Sequence, residues 1–208
     1  MDTEATGYVA HSEGWKTKAS GGQGHAEGRS TQALSNTDHS EGFKTIAHGA
    51  YRTTDKEGYG AHAEGRNTQA IGQSSHAEGY STIADGTAAH AEGKSTTAEG
   101  EAAHAEGEGT HAKSFAHAGG YGSKAYANYS FVHGLGLISP NLGASVVLGQ
   151  YNDNSENDNI FSIGYGANND NRRNIFNIKT SGNVNASGII NAKDVISNNG
   201  NNLSLMNI

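Results

Sequence analysis

From His62 to Gly107 the chain reads HAEGRNTQAIGQSS, HAEGYSTIADGTAA, HAEGKSTTAEGEAA and HAEG, so His62, His76, His90 and His104 stand 14 residues apart, each opening the phrase His-Ala-Glu-Gly. Upstream, His11, His25 and His39 keep the same spacing and the phrase His-(Ala/Ser)-Glu-Gly. A self-similar period this short signals a solenoid, with one coil per repeat and each coil packed on the next. A row of identical sites builds a surface rather than a pocket, which argues against an enzyme.

Each 14-residue unit splits into two heptads, H-A-E-G-x-x-T and x-A-x-G-x-x-(S/A). The phase runs from Glu4 to Arg52, slips by two residues, resumes at Asp55 and continues with small irregularities to Asn152. Of 21 heptads, 15 carry Ala at the second position; Lys56 is the one residue there that is neither Ala, Ser nor Val. Successive side chains in a strand point to opposite faces. If positions one to three are extended, Ala points inward and His and Glu point outward. Gly at position four then permits a turn. Two heptads close one flattened coil, and about eleven coils spaced about 4.8 Å apart give a rod roughly 50 Å long. The step of phase at Asp55 to Ala61 predicts a bulged or looped coil between two regular stacks. A helix would carry Gly every seventh residue at roughly 1 kcal/mol each, with no 3.6-residue apolar stripe. Collagen requires Gly at every third residue, and Pro140 is the single proline.

The 208 residues are 34% hydrophobic, with net charge -7 and no cysteine. That excludes disulfides and thiolate metal sites. The acidic balance argues against nucleic acid as a partner, and no apolar run suggests membrane insertion. An alanine core is thin, so oligomerisation is the expected source of stability. Composition shifts near residue 152: four Asn precede it and 17 fall in 152–208. Short apolar runs follow (Ile160-Phe161-Ser162-Ile163, Ile175-Phe176-Asn177-Ile178, Gly188-Ile189-Ile190 and Val195-Ile196), with Thr180-Ser181-Gly182-Asn183 as a hairpin turn. The chain therefore divides into repeats over 1–152 and an Asn-rich, β-structured segment over 153–208, whose end resembles a truncation.

The x-A-x-G-x-x-(S/T/A) heptad, paired into 14-residue coils over residues 4 to about 152, resembles the YadA-like head repeats of trimeric autotransporter adhesins. That resemblance implies an all-β fold, a left-handed parallel β-roll with three chains side by side. The neck and coiled-coil stalk that follow such heads are not seen. Instead Asn174 to Val184, followed by Ala186-Ser187-Gly188, is similar to segments near the C-terminal part of phage tail fibres, where a chaperone or self-cleaving domain often follows. Together these imply a homotrimeric fibre segment, of phage tail-fibre or receptor-binding type, on a virion or cell surface. The alternatives are a bacterial adhesin head, a structural spacer and an ice-binding solenoid.

Four columns carry candidate function. The first is the His/Glu pair at positions one and three. Its uniformity, against the variable Lys18, Gln32, Ile46, Gln69 and Ile83 of the second heptad, marks a constrained face. His25, Glu27, His62, Glu64, His76, Glu78, His90 and Glu92 are therefore placed at the subunit interface. Hydrogen bonding between coils or subunits is favoured over metal or anion binding, and no cofactor or metal is assigned. Position five reads Trp15, Arg29, Phe43, Arg66, Tyr80, Lys94 and Glu108, with Tyr59 from the irregular stretch. Aromatics beside cations suit sugar rings and anionic glycans, so Trp15, Arg29, Phe43, Tyr59, Arg66 and Tyr80 are candidate contacts with a host receptor. Coil-to-coil stacking along this edge is the competing reading. The third column, Thr17, Thr31, Thr45, Thr68, Thr82, Thr96 and Thr110, is expected to bond turn backbone; a flat exposed array would instead suit ice. Gly119-Gly120-Tyr121-Gly122 is Gly-rich but lacks the strand–helix context of a phosphate loop. No catalytic residues are assigned.

Overall fold

A computed structural model describes residues 2–49 and 60–189. Among them there is no helix. The chain is a parallel β-solenoid of two sheets. Five-residue strands such as His25–Arg29, His62–Arg66 and His76–Tyr80 build one sheet, and two-residue strands such as Gln32–Ala33 and Ile83–Ala84 build the other. The register is like upon like: His76 pairs with His90, Ala77 with Ala91, Glu78 with Glu92. This follows from the repeat, because a one-residue slip would turn every Ala outward.

Between the sheets lies the alanine core. Ala26, Ala33, Ala63, Ala70, Ala77, Ala84, Ala91 and Ala98 are fully buried, and the largest apolar side chains inside are Leu137, Val132 and Val147. A methyl removed from water contributes on the order of 0.8 kcal/mol. So small a gain leaves the inter-coil hydrogen bonds as the main organiser of each coil, and these run without a break from Glu4 N–H bonding Thr17 O to Lys124 N–H bonding Leu137 O.

Position four lies at a turn in one heptad and inside a strand in the other. In the second, Gly21 and Gly72 open the turn: Gly24 N–H bonds Gly21 O at 3.1 Å and Ser75 N–H bonds Gly72 O at 3.1 Å. In the histidine-bearing heptad the glycine stays inside the strand. Gly28, Gly42, Gly65 and Gly79 have φ of 105°, 107°, 103° and 103°, and a Cβ on any of them would collide with the equivalent glycine carbonyl one coil on. The bend there falls at position six, on non-glycine residues: Ser30, Lys44, Asn67, Ser81 and Ser95 have φ of 55–59°. Each is pinned by a bond across coils, such as Ser81 N–H to Arg66 O at 2.8 Å. Close approach selects glycine at position four of both heptads, since a Cβ on Gly21 or Gly72 would likewise collide with a carbonyl one coil on, and in both heptads the left-handed residue is at position six, as at Gln23 and Ser74.

At the step of phase, His39 pairs directly with His62 and Ile46 with Gln69, so both sheets pass across it. Of the bulge expected over Asp55 to Ala61, residues 55–59, Lys56 among them, lie outside the described residues. Asp38, buried, closes the flanks: its carboxylate accepts from Ser35 N–H (2.7 Å), Ala61 N–H (3.0 Å) and Gly49 N–H (3.3 Å).

The parallel ladder also continues beyond Asn152. Val146–Gln150 pairs with Asn159–Tyr165, matching Val147 to Ser162 and Gly149 to Gly164. Asn174–Lys179 and Val184–Ala186 then add antiparallel to the same sheet, joined by the turn expected at Thr180 to Asn183. The short-strand sheet ends at Lys124–Ala125. Asparagine amides take over its pairing. Asn152 Oδ1 accepts from Ile138 N–H (2.8 Å) and its Nδ2 donates to Ile138 O (2.9 Å), while Asn174 makes the same two bonds to Asp153. Two of the 17 asparagines in 152–208 thus stand in for strand pairing.

Candidate functional surfaces

Positions one and three face outward from the long-strand sheet, and the solenoid stacks them into two adjoining rows. Imidazole centroids are 4.8–4.9 Å apart from His25 to His90, with planes within 4° of parallel. Beside them the carboxylates of Glu13, Glu27, Glu41, Glu64 and Glu78 line an open groove of about 960 Å³ whose floor is glycine. Each imidazole sits between carboxylates: His62 Nε2 is 4.0 Å from Glu41 and 3.9 Å from Glu64. These gaps are too long for hydrogen bonds, and the Nε2 atoms of His25, His39, His62, His76, His90, His104 and His117 are buried without a partner. All eight interface candidates therefore stand together on one face.

The electrostatics follow from the stacking. Burial, then the neighbouring imidazoles, pulls His39, His62 and His90 below the ordinary histidine range. Along the carboxylate row adjacent groups share protons. Glu41 and Glu78 are each pushed up to about 7 by bonding to their Glu neighbours, while Glu27, Glu64 and Glu92 are drawn down by the same bonds.

Toward the C-terminus the same two columns change chemistry. Position one continues as His117, Phe131, Val146 and Phe161, and position three as Gly119, His133, Leu148 and Ile163. Phe176 and Ile178 from the antiparallel strand join them opposite Ile163 and Phe161. These apolar side chains are half-buried, and Phe131 is exposed. Sequence reading missed this patch by ending the repeat at residue 152. The signal was present in Phe161-Ser162-Ile163-Gly164, which has the form of His-Ser-Glu-Gly with its core serine buried.

Position five forms the second surface. Trp15, Arg29, Phe43, Arg66 and Tyr80 are consecutive register partners. Arg29 lies 4.5 Å from the Trp15 ring centre and 5.4 Å from Phe43; Arg66 lies 5.6 Å from Phe43 and 5.4 Å from Tyr80. Lys16 and Lys44 flank Trp15 and Phe43. Beyond Tyr80 the edge passes to an ion pair, Lys94 to Glu108 at 2.8 Å. Five of the six receptor candidates thus form one ladder; Tyr59 lies outside the described residues.

The threonine column is buried throughout; a bond to backbone, expected of every member, is made by Thr110 and not by the other six. Thr17 and Thr45 bond the hydroxyls of Ser12 and Ser40 at 2.8 Å, Thr110 bonds Glu106 O at 3.0 Å, and the hydroxyls of Thr31, Thr68, Thr82 and Thr96 have no partner. Buried threonines offer no surface to ice.

No protein-family model matches this chain, and no curated protein matches it.

Proposed function

We propose that this chain is a rod-forming, non-enzymatic segment of a homotrimeric fibre, of phage tail-fibre or receptor-binding type, that acts on a virion or cell surface and contacts a host receptor. The observation that carries the reading is the continuity of one face. Uniform His and Glu rows run as far as His117 and Glu106, and the same two columns continue in register through Gly119, Phe131 and His133 into the half-buried cluster of Val146, Leu148, Phe161, Ile163, Phe176 and Ile178. An apolar patch in register with a constrained polar strip suits burial against copies of itself. The left-handed, three-chain arrangement is what the adhesin-head resemblance implies for that association. The opposite requirement, a surface free to meet a receptor, is met by the cation–aromatic edge, whose charges suit an anionic glycan.

Sedimentation equilibrium should give about three times 21.6 kDa. Phe161→Asp with Ile163→Asp should return the monomer, and a wild-type monomer at micromolar concentration would remove the reading. Glycan-array binding lost on Trp15→Ala supports receptor contact. A second reading is a spacer, favoured by the coverage of Phe43 by guanidinium groups on both sides; a trimer that binds no array would establish it over the receptor role.

A further inference from the structure

The His/Glu rows change composition at one place, and that place has the donor set of a metal centre. Glu106 is the last glutamate of its column. One coil on, the column holds Gly119, and one further on it holds His133, which pairs with Gly119. With no side chain at Gly119, His133 reaches back across it: a Cβ there would collide with His133 Nδ1 and come within 2.9 Å of Glu106 Oε1. Glu106 Oε1 consequently lies 3.5 Å from His133 Nδ1 and 3.2 Å from His117 Nε2. The three donor atoms fall within 4.8 Å of one another. His117 is held in place by Phe131, stacked on its ring at 4.7 Å, and its Nε2 is buried with Glu106 Oε1 as its polar neighbour.

We propose that Glu106, His117 and His133 form a binding site for one divalent transition ion of the Zn²⁺ type per chain. Two imidazoles and a carboxylate are a zinc ligand set, with bonds of about 2.0–2.2 Å. A tetrahedral ion with such bonds separates its donors by about 3.4 Å, close to the 3.2 and 3.5 Å found here. The regular ladder fits less well, since His62 stands 3.9–4.0 Å from its two carboxylates and offers one nitrogen per pair of oxygens. Imidazole donors select against Ca²⁺ and Mg²⁺, which take oxygen. The fourth position is open to water. The ligands come from three successive coils, and the first step, from His104 to His117, is 13 residues instead of 14. A bound ion would staple the stack where its period changes. The site uses one chain alone and stands or falls independently of the trimer.

Zn²⁺ titration of the chelator-treated protein, followed by calorimetry, should give one tight site per chain and a higher melting temperature. Co²⁺ should add a visible absorption band from its nitrogen and oxygen ligands. His133→Ala, at an exposed position, should lower affinity by about 100-fold or more, beyond the usual loss from an outer-shell change. Glu106→Gln should weaken it as well, and His76→Asn in the regular ladder should leave the stoichiometry at one. Absence of Zn²⁺ binding, or binding and a cobalt band that survive His133→Ala, would overturn the assignment.

Discussion

Thr82 and Thr45 occupy the same place in two coils, yet their hydroxyls meet different fates. Thr45 bonds the hydroxyl of Ser40, whereas Thr82 sits against an alanine coil and has no partner. A buried unpaired hydroxyl is destabilising, and replacing one member of a pair strands the other at about 1–3 kcal/mol. Thr82→Val, equal in shape, should therefore leave chemical denaturation unchanged or shift it up by about 1 kcal/mol, while Thr45→Val should lower it by about 1–2 kcal/mol. Equal responses would show that the Ser–Thr pair contributes nothing. At this scale the sequence was legible where side-chain size decides: alanine at position two permits no other reading than a narrow interior. It was less legible where a polar residue serves apolar packing. A threonine next to a bend reads as a turn residue, and only the coil's closure shows that it is buried with the alanines.

The coil is the element, and most of its character was written in its period. Strand pairing, parallel sense and register all follow from one residue type returning every 14 positions. Irregular coils were harder, because their closure uses contacts with no periodic trace. Asp38 is the example. Its carboxylate gathers three N–H groups from residues on either side of the phase step, and burial raises its pKa despite those bonds. Asp38→Ala leaves three buried donors without an acceptor and should cost about 3 kcal/mol or more. Asp38→Asn keeps one acceptor oxygen and should cost less. Urea denaturation of the two variants would check the order; an alanine variant as stable as wild type would mean that the flanks hold themselves. Asn152 and Asn174 belong to the same class, since an amide replacing a strand's pairing leaves a composition shift in the sequence but no pattern. The outer candidate columns were grouped correctly by spacing alone. Their continuation into Phe161 and Ile163 was not, because two 15-residue steps, Phe131 to Val146 and Val146 to Phe161, break the count.

For the whole molecule, the stacked rows set two opposed responses to pH. The histidine pKa values are lowered in the fold, so their contribution is present above the unfolded value of about 6.5 and is lost as pH falls through the folded one. Glu41 and Glu78 act in the other sense: with folded values of about 7, their contribution is present below the unfolded value of 4.5 and is lost as pH rises through 7. Glu27, Glu64 and Glu92, drawn down, side with the histidines. The histidine effect should win. Its main cause is burial of rings locked in a stack, which the chain cannot relieve, and His62 faces His39 and His76 as well as Glu41 and Glu64. The carboxyls line an open groove and can swing apart into water, where screening reduces their coupling. The chelator-treated protein should therefore melt at a lower temperature at about pH 5 than at about pH 7.5. His62→Gln should shrink the difference, because it removes a ring that must charge against its neighbours. Glu78→Gln should enlarge it, because it removes an opposing group. Added salt should screen both the carboxyl coupling and the smaller repulsion between imidazoles, and leave the contribution of ring burial in place. A melting temperature higher at pH 5, together with a smaller difference in Glu78→Gln, would place the control of stability in the carboxylate row instead of the imidazole stack.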